Sequence, residues 1–395
     1  MLINGSLKNY VHHKKEETLC MKPTILFVFN VDWFFVSHSL PLANSLVLND
    51  YDVHVACSPT SDLQFLSRKG FVAHQFPISR SNTKFFVLFY ELWLTYQLIR
   101  KIKPDLVYSA TIKPVFFSSV ACWLANFKTP LVVSIPGLGH VSRLDTRFGA
   151  LKRFLLLLAY RCVLKLPTNV VAIFENQDDR DLLVKSKCIP ASSARLFTGI
   201  GVNLSEFSPT SLPTCLPVVL FAGRLIWSKG IIDFIEAARI VINAKFVVAG
   251  TPDPGNPASV DISFLNKWQE DNLIEYRGHV ADMPCLIKES YVVVLPSYYG
   301  EGLPKILMEA AASARPIVTT DHPGCREAVI NGVTGLLVPP RDPCSLARAI
   351  QYLIDNFDIC QNMALEARTF AEVSFDSRKF VTANIKIIED LIAQV

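Results

Sequence analysis

Apolar and polar positions change period along this chain in a regular way. The runs TILFVF (24–29), DVHVAC (52–57), DLVYS (105–109), PLVVSI (130–135) and VVAIF (170–174) are mostly apolar, and stretches of helical spacing separate them, the first around 38–49. Short apolar runs interleaved with helices predict strands buried on both faces of a parallel sheet. The pattern halts at SPTSLPTCLP (208–217), where Pro, Ser and Thr predict a linker. It then restarts with VVLFAG (218–223), a helix over 230–242, FVVAG (246–250), IEYRG (274–278) and VVVLPS (292–297). A helix after 304, PIVTT (316–320), GLLVP (335–339), a helix over 343–355 and a last helix over 376–393 complete the series. The expected architecture is α/β: two Rossmann-like parallel-sheet domains, 21–207 and 218–375, joined by 208–217, with 376–395 returning toward the first. A ligand cleft is expected between them, at the carboxyl ends of the strands.

Composition narrows the class. Half of the 395 residues are hydrophobic and 19% are charged, which excludes a disordered chain. No apolar run approaches the roughly eighteen residues a spanning helix needs. Ten cysteines lie scattered with no C-x-x-C pair, which predicts reduced thiols and argues against a disulfide framework or zinc site. Residues 1–20 are polar, lack the apolar core of a secretory signal and precede Met21; a disordered tail or an upstream mis-start is expected there.

Charge divides the chain. Residues 1–200 hold 23 Lys and Arg against 13 Asp and Glu; residues 201–395 hold 16 against 22. A basic first half predicts an anionic partner, a membrane surface or a phosphorylated substrate. No nucleic-acid motif accompanies it. Two segments of that half, FFVLFYELWLTYQLIRK (85–101) and LKRFLLLLAYRCVLKL (151–166), are apolar with basic residues. In the second, helical spacing puts Arg153, Arg161 and Lys165 on one side. Two readings stand: buried helices with snorkelling ends, or interfacial helices on an anionic leaflet.

Candidate chemistry concentrates in the second half. VVLFAGRLIWSKG (218–230) is a strand ending at Gly223, then Arg224 and Lys229 before a helix, the rim where α/β sheets hold phosphates. A planar guanidinium and a compact ammonium could clamp a diphosphate there; two solvated loop charges are the plainer reading. In EGLPKILME (301–309), Pro304 suits the first helical position, so Gly302, Leu303 and Lys305 would present backbone N–H groups at a positive helix end. Gly302 has no side chain to block a ligand. Glu301 would stand at the cleft mouth, and Glu309, deeper in the helix, could accept from ribose hydroxyls.

The combination of FAGRLIWSKG, LPSYYGEGLPKILMEAAASARPIVTTDHPGCREAV and NGVTGLLVPPRDP resembles family 4 of the retaining glycosyltransferases, with the GT-B fold. The first half resembles it more loosely, through KPTILFVFNVDWFFVSHSLPLA, SIPGLGHV and FENQDDRDLL, most like the bacterial subgroup that builds capsule, O-antigen and other lipid-linked saccharides. The resemblance implies a UDP-sugar donor, a polyprenyl-diphosphate-linked saccharide acceptor and a cytoplasmic, peripheral place on the inner face of the cell membrane. The UDP-sugar is a substrate; no cofactor and no metal are implied. Arg224 and Lys229 match the pair that neutralises the diphosphate, Glu301 the residue beside the donor sugar and Glu309 the ribose ligand. The turn Arg277–Val280 matches the segment lining the base. The implied mechanism is retention through a front-face, ion-pair-like transition state, the departing diphosphate helping to take the acceptor proton.

The first half departs from the family pattern. Its first turn, NVDWFFVSHS, has no glycine. His38 is a candidate donor-side or acceptor-side residue, or a helix-start histidine without a role. Gly137 and Gly139 would allow close backbone approach opposite the donor, with His140 beside them as a further candidate catalytic residue. GLGHVS lacks the third glycine of a dinucleotide fingerprint, and Pro136 breaks its geometry. Asp179-Arg180-Asp181 is read as the start of a helix capped by Asn176, not as a metal site. Two other function classes are a UDP-sugar 2-epimerase-like isomerase and a non-catalytic scaffold; the intact set of motif charges argues against both.

Overall fold

The computed structural model describes residues 22–60, 63–78, 84–125, 128–138, 147–253, 256–298 and 300–394. The first sheet comprises β1 (Thr24–Val31), β2 (Asp52–Ser58), β3 (Val72–Gln75), β4 (Leu106–Ala110), β5 (Leu131–Ile135), β6 (Val170–Phe174) and β7 (Ala194–Leu196). The second comprises β8 (Val218–Ala222), β9 (Lys245–Ala249), β10 (Glu275–Tyr276), β11 (Val292–Leu295), β12 (Ile317–Thr320) and β13 (Gly335–Val338). Their orders are β3-β2-β1-β4-β5-β6-β7 and β10-β9-β8-β11-β12-β13. Each neighbouring pair in the first sheet is parallel. The second is parallel throughout as well.

Helices cover both faces. They are α1 (Asp32–His38), α2 (Leu40–Leu48), α3 (Gln64–Arg68), α4 (Phe85–Ile102), α5 (Ile112–Leu124), α6 (Arg147–Val163) and α7 (Gln177–Lys185). With the second sheet come α8 (Ile231–Ile240), α9 (Ile262–Glu270), α10 (Met283–Glu289), α11 (Lys305–Ala312), α12 (Pro343–Asp355) and α13 (Phe357–Ser374), and α14 (Ser377–Ile392) follows them back to the first sheet. The unbroken apolar run of β1 follows from this layering. Leu26 and Val28 enter the core shared with α4, α5 and α6, while Ile25, Phe27 and Phe29 enter the core shared with α1, α2 and α14.

Several elements differ from the sequence expectation. The helix expected around 38–49 begins earlier, directly after β1, and breaks at Ser39. The glycine-free turn closes because the Asp32 carboxylate accepts from Trp33 N (2.7 Å) and Thr60 N (2.9 Å). Pro41 then sits in the first turn of α2, where its missing N–H costs nothing. His38 therefore ends a helix and does not start one. Strands β3 and β7 are too short to show a period; α13, absent from the expected elements, does repeat at helical spacing, with Cys360, Met363, Ala364, Ala367 and Ala371 buried.

The chain crosses between the sheets at two adjacent points. Val202 N donates to Phe375 O (2.7 Å), and Ser377 N donates to Val202 O (3.1 Å). Beyond this crossing α14 packs on the first domain, where Phe380, Ile388 and Leu391 join its core. Residues 208–217 lie past the crossing and are fastened to the second domain. The buried Arg315 guanidinium donates to Thr210 O (2.8 Å), Thr210 Oγ1 (2.7 Å) and Ser211 O (3.2 Å). A stretch that reads as a loose linker is thus pinned by one buried arginine.

Candidate active site

Strand order reverses between β8 and β11 in the second sheet and between β1 and β4 in the first. Such switch points open a crevice beyond the carboxyl ends of the strands. The sequence candidates converge there. Lys229, after β8, donates from Nζ to Glu301 Oε2, after β11. Ser297 Oγ donates to Glu301 Oε1 (2.9 Å). The Lys229 and Glu301 side chains are only 10% and 14% exposed, so water screens the pair weakly. An ammonium has three donors, so Lys229 keeps others for a second anion. Arg224 stands nearer the opening, with Nη1 3.2 Å from Asp253 Oδ2. Its guanidinium lies over the Trp33 ring of the first domain, 5.2 Å from the centroid. Beside Gly223 the space is open.

Glu309 lies on α11, buried at 7% exposure. Burial pushes its carboxyl above the usual range, and Lys305 Nζ, 3.4 Å away, opposes the shift. It faces a cavity of about 290 Å³ that His38, Asn203, Glu206, Met283 and Lys305 also line. His38 stacks on Phe34, with centroids 3.8 Å apart. Its Nδ1 is 3.2 Å from Phe34 O. A carbonyl only accepts, so Nδ1 carries the hydrogen and Nε2 is left as an acceptor. Burial lowers the His38 pKa to about 3, with Lys305, Arg224 and Lys229 acting in the same direction. The imidazole is neutral at physiological pH.

The first domain meets the second at the 300–303 loop. A Cβ on Gly137 would come within 2.8 Å of Glu301 C and Gly302 N. A Cβ on Gly302 would strike Pro136 O and Glu175 Oε2. The missing side chain of Gly302, expected to admit a ligand, admits the opposite domain. The Leu303 N–H, expected to be open at a helix end, acts on the Glu175 carboxyl and opposes the rise in its pKa. Pro304 is the N-cap of α11, in extended geometry, and not its first helical residue. Arg277 pairs with Glu275 Oε1 (2.6 Å) and Glu289 Oε2 (3.2 Å), while Val280 packs at the edge of the second core. Gly139 and His140 lie outside the described residues.

Asn176 caps α7, accepting from Asp179 N (2.8 Å), as the sequence predicts. The two aspartates then part. Asp179 is buried and accepts from Leu138 N (3.1 Å), and Asp181 pairs at the surface with Arg180. Trp33, Glu175, Asp253 and Ser297 belong to the site but were not candidates. Position at a strand's carboxyl end was the signal available for Glu175; the other three depend on contacts between distant segments.

Two parallel sheets with a crevice at their switch points make the GT-B architecture. Residues 24–170 match the "glycosyl transferase 4-like" family model, and residues 216–356 match "glycosyl transferases group 1". The chain belongs to these glycosyltransferases. The N,N'-diacetylbacillosaminyl-diphospho-undecaprenol alpha-1,3-N-acetylgalactosaminyltransferase of Campylobacter jejuni is 25% identical over 384 residues, 91% of this chain and 99% of that protein. The capsular polysaccharide biosynthesis glycosyltransferase CapM of Staphylococcus aureus is 26% identical over 362 residues, 87% of this chain and 92% of that protein. Among solved structures, sucrose-phosphate synthase of Thermosynechococcus elongatus superposes with a TM-score of 0.76 at 18% identity, covering 95% of this chain and all of that one. HepE of Anabaena, in complex with UDP and glucose, superposes with a TM-score of 0.74 at 17% identity, covering 93% of this chain and 100% of that one.

Proposed function

We propose that this glycosyltransferase is retaining and metal-independent, and that it moves a sugar from a UDP-sugar to a polyprenyl-diphosphate-linked saccharide during surface polysaccharide assembly. The observation that carries the reading is the Lys229–Glu301 pair at the switch point, with Arg224 beside it. Departure of a diphosphate concentrates negative charge where a leaving oxygen develops, and fixed cations in a water-poor site stabilise that charge. Lys229 and Arg224 supply them. Glu301 meets the donor sugar, and Glu309 accepts from the ribose hydroxyls inside the cavity it shares with His38. The acceptor hydroxyl attacks the anomeric carbon from the face the diphosphate leaves. The carbon–diphosphate oxygen bond breaks, the bond to the acceptor oxygen forms, and the acceptor proton passes to the diphosphate. Neutral His38 can accept a hydroxyl hydrogen bond at Nε2 without placing charge beside the cations. The relatives named for diphospho-undecaprenol-linked sugars and for capsule synthesis support this acceptor class.

The first domain would dock on the inner membrane face. On α4, Phe85 (67% exposed), Phe86 (86%), Phe89, Tyr90 and Trp93 face solvent. On α6, Leu151, Phe154, Leu155 and Leu158 are exposed among exposed Lys152, Arg153 and Arg161. Apolar patches rimmed by basic residues suit an anionic lipid surface. No helix of the described residues is long and apolar enough to cross a membrane. The test is a panel of UDP-sugars offered to the purified protein with and without the lipid-linked acceptor. UDP release that requires the acceptor is expected, and interconversion of free UDP-sugars would overturn the reading.

A further inference from the structure

Glu175 follows β6 directly and is 3% exposed. Its Oε1 has no hydrogen-bond partner, and its Oε2 lies against Gly302. The Leu303 N–H acts on it from the second domain, opposing the rise in its pKa. Asn176 spans the same gap, its Nδ2 donating to Glu301 O (3.1 Å). Residues 301–303 are therefore held by two consecutive first-domain side chains, while the Glu301 carboxylate is held by Lys229 and Ser297. A buried carboxyl with an unpartnered oxygen is costly, and an apolar residue would fill this place more cheaply. The arrangement is thus poorly suited to stability alone.

We propose that Glu175 and Asn176 are positioning residues: from the first domain they fix the backbone of residues 301–303, and with it the Glu301 carboxylate, when the cleft is shut. The inference rests on reading 301–309 as the donor loop. Burial raises the Glu175 pKa from its ordinary 4.5 to about 8, with the Leu303 N–H acting against the shift. Buried Tyr108 of β4 faces it electrostatically, and Glu301 and Lys229 flank the loop on the far side. Opening the cleft returns the carboxyl to water, so shutting takes up a proton. Closure is easiest below pH 4.5, weakens about tenfold per pH unit up to about 8, and is level above that.

The test compares wild type with Glu175→Gln, which stays neutral, and Glu175→Ala, which removes the contact, from pH 5.5 to about 9. Expected are a donor KM that rises with pH and levels near 8 in wild type, and a flat KM in Glu175→Gln. Glu175→Ala should raise donor KM at low pH about tenfold, with a smaller change in kcat. A purely structural Glu175 would give all three proteins the same pH profile. If Glu175→Gln reproduces the wild-type rise, or wild type shows none, the proposal fails. A donor-free readout separates this from an error in the donor assignment: the radius of gyration by small-angle scattering should grow with pH in wild type and stay constant in Glu175→Gln. Constant radii in both would sink the proposal whatever sugar is transferred.

Discussion

The two sheets reach the cleft with different chemistry. The second domain presents charged side chains from loops after β8 and β11: Arg224, Lys229 and Glu301, with Glu309 on the following helix. The first presents a neutral imidazole, an aromatic ring under Arg224, and a rim of backbone and buried polar groups at Pro136–Gly137 and Glu175–Asn176. On the proposed mechanism, the fixed charges belong to the side that would stabilise the leaving diphosphate. The opposing side supplies shape and hydrogen bonds. The difference teaches that a site can be built by one domain and set in place by the other.

The largest expected effect is on the charged side. Lys229→Ala or Arg224→Ala should lower kcat by two to three decades, on the order of 3 kcal/mol or more. Because Lys229→Ala also strands the Glu301 carboxylate, the double variant Lys229→Ala/Glu301→Gln should regain thermal stability without regaining turnover. Near-normal kcat in either single variant would remove that residue from catalysis. Next comes the contact between the two sides. Gly302→Ala puts a methyl into Pro136 O and Glu175, and a cost of about 1–3 kcal/mol should appear as a raised donor KM with the melting profile little changed. An unchanged KM would show that this contact does not set the donor loop.

A smaller effect probes the outer face of the first domain. Phe86→Ser with Phe89→Ser should weaken sedimentation with anionic vesicles, each ring contributing at most roughly 1.5–3 kcal/mol, and added salt should weaken it further. Binding indifferent to both changes would separate the basic half from the membrane. A last probe concerns His38. Its native pKa of about 3 lies below the ordinary 6.5, so the unfolded chain binds the proton more readily. The neutral ring's contribution is complete above pH 6.5 and is lost as pH falls from there toward 3. His38→Gln should therefore lose less melting temperature than wild type over that interval; an identical loss would contradict a neutral histidine with a lowered pKa.

The charged side of the cleft was legible because each residue there sits in a short motif whose spacing carries its geometry. Gly223, Arg224 and Lys229 fall between a strand and a helix, and Glu301 and Glu309 bracket another such junction. The opposing side was not legible in the same way. Glu175 looks like a loop acid until Gly302 and Leu303 of the other domain close over it. Trp33 is one of several aromatics after β1 until Arg224 lies on its ring. Pro, Ser and Thr at 208–217 predicted a linker, but the buried Arg315, a hundred residues later, decided where that stretch rests.

By itself the sequence determined the two parallel sheets, since continuous apolar runs must be covered on both faces, and it determined the second domain's charges at the strand ends, since local spacing suffices to place them. The tertiary structure alone decided that Gly302 receives a neighbouring domain, that Lys229 and Glu301 hold each other, and that a carboxyl at 175 loses its water. Each of these depends on which distant segment comes to lie within hydrogen-bond range and how much solvent is left there. Neither quantity is a property of any short stretch of chain.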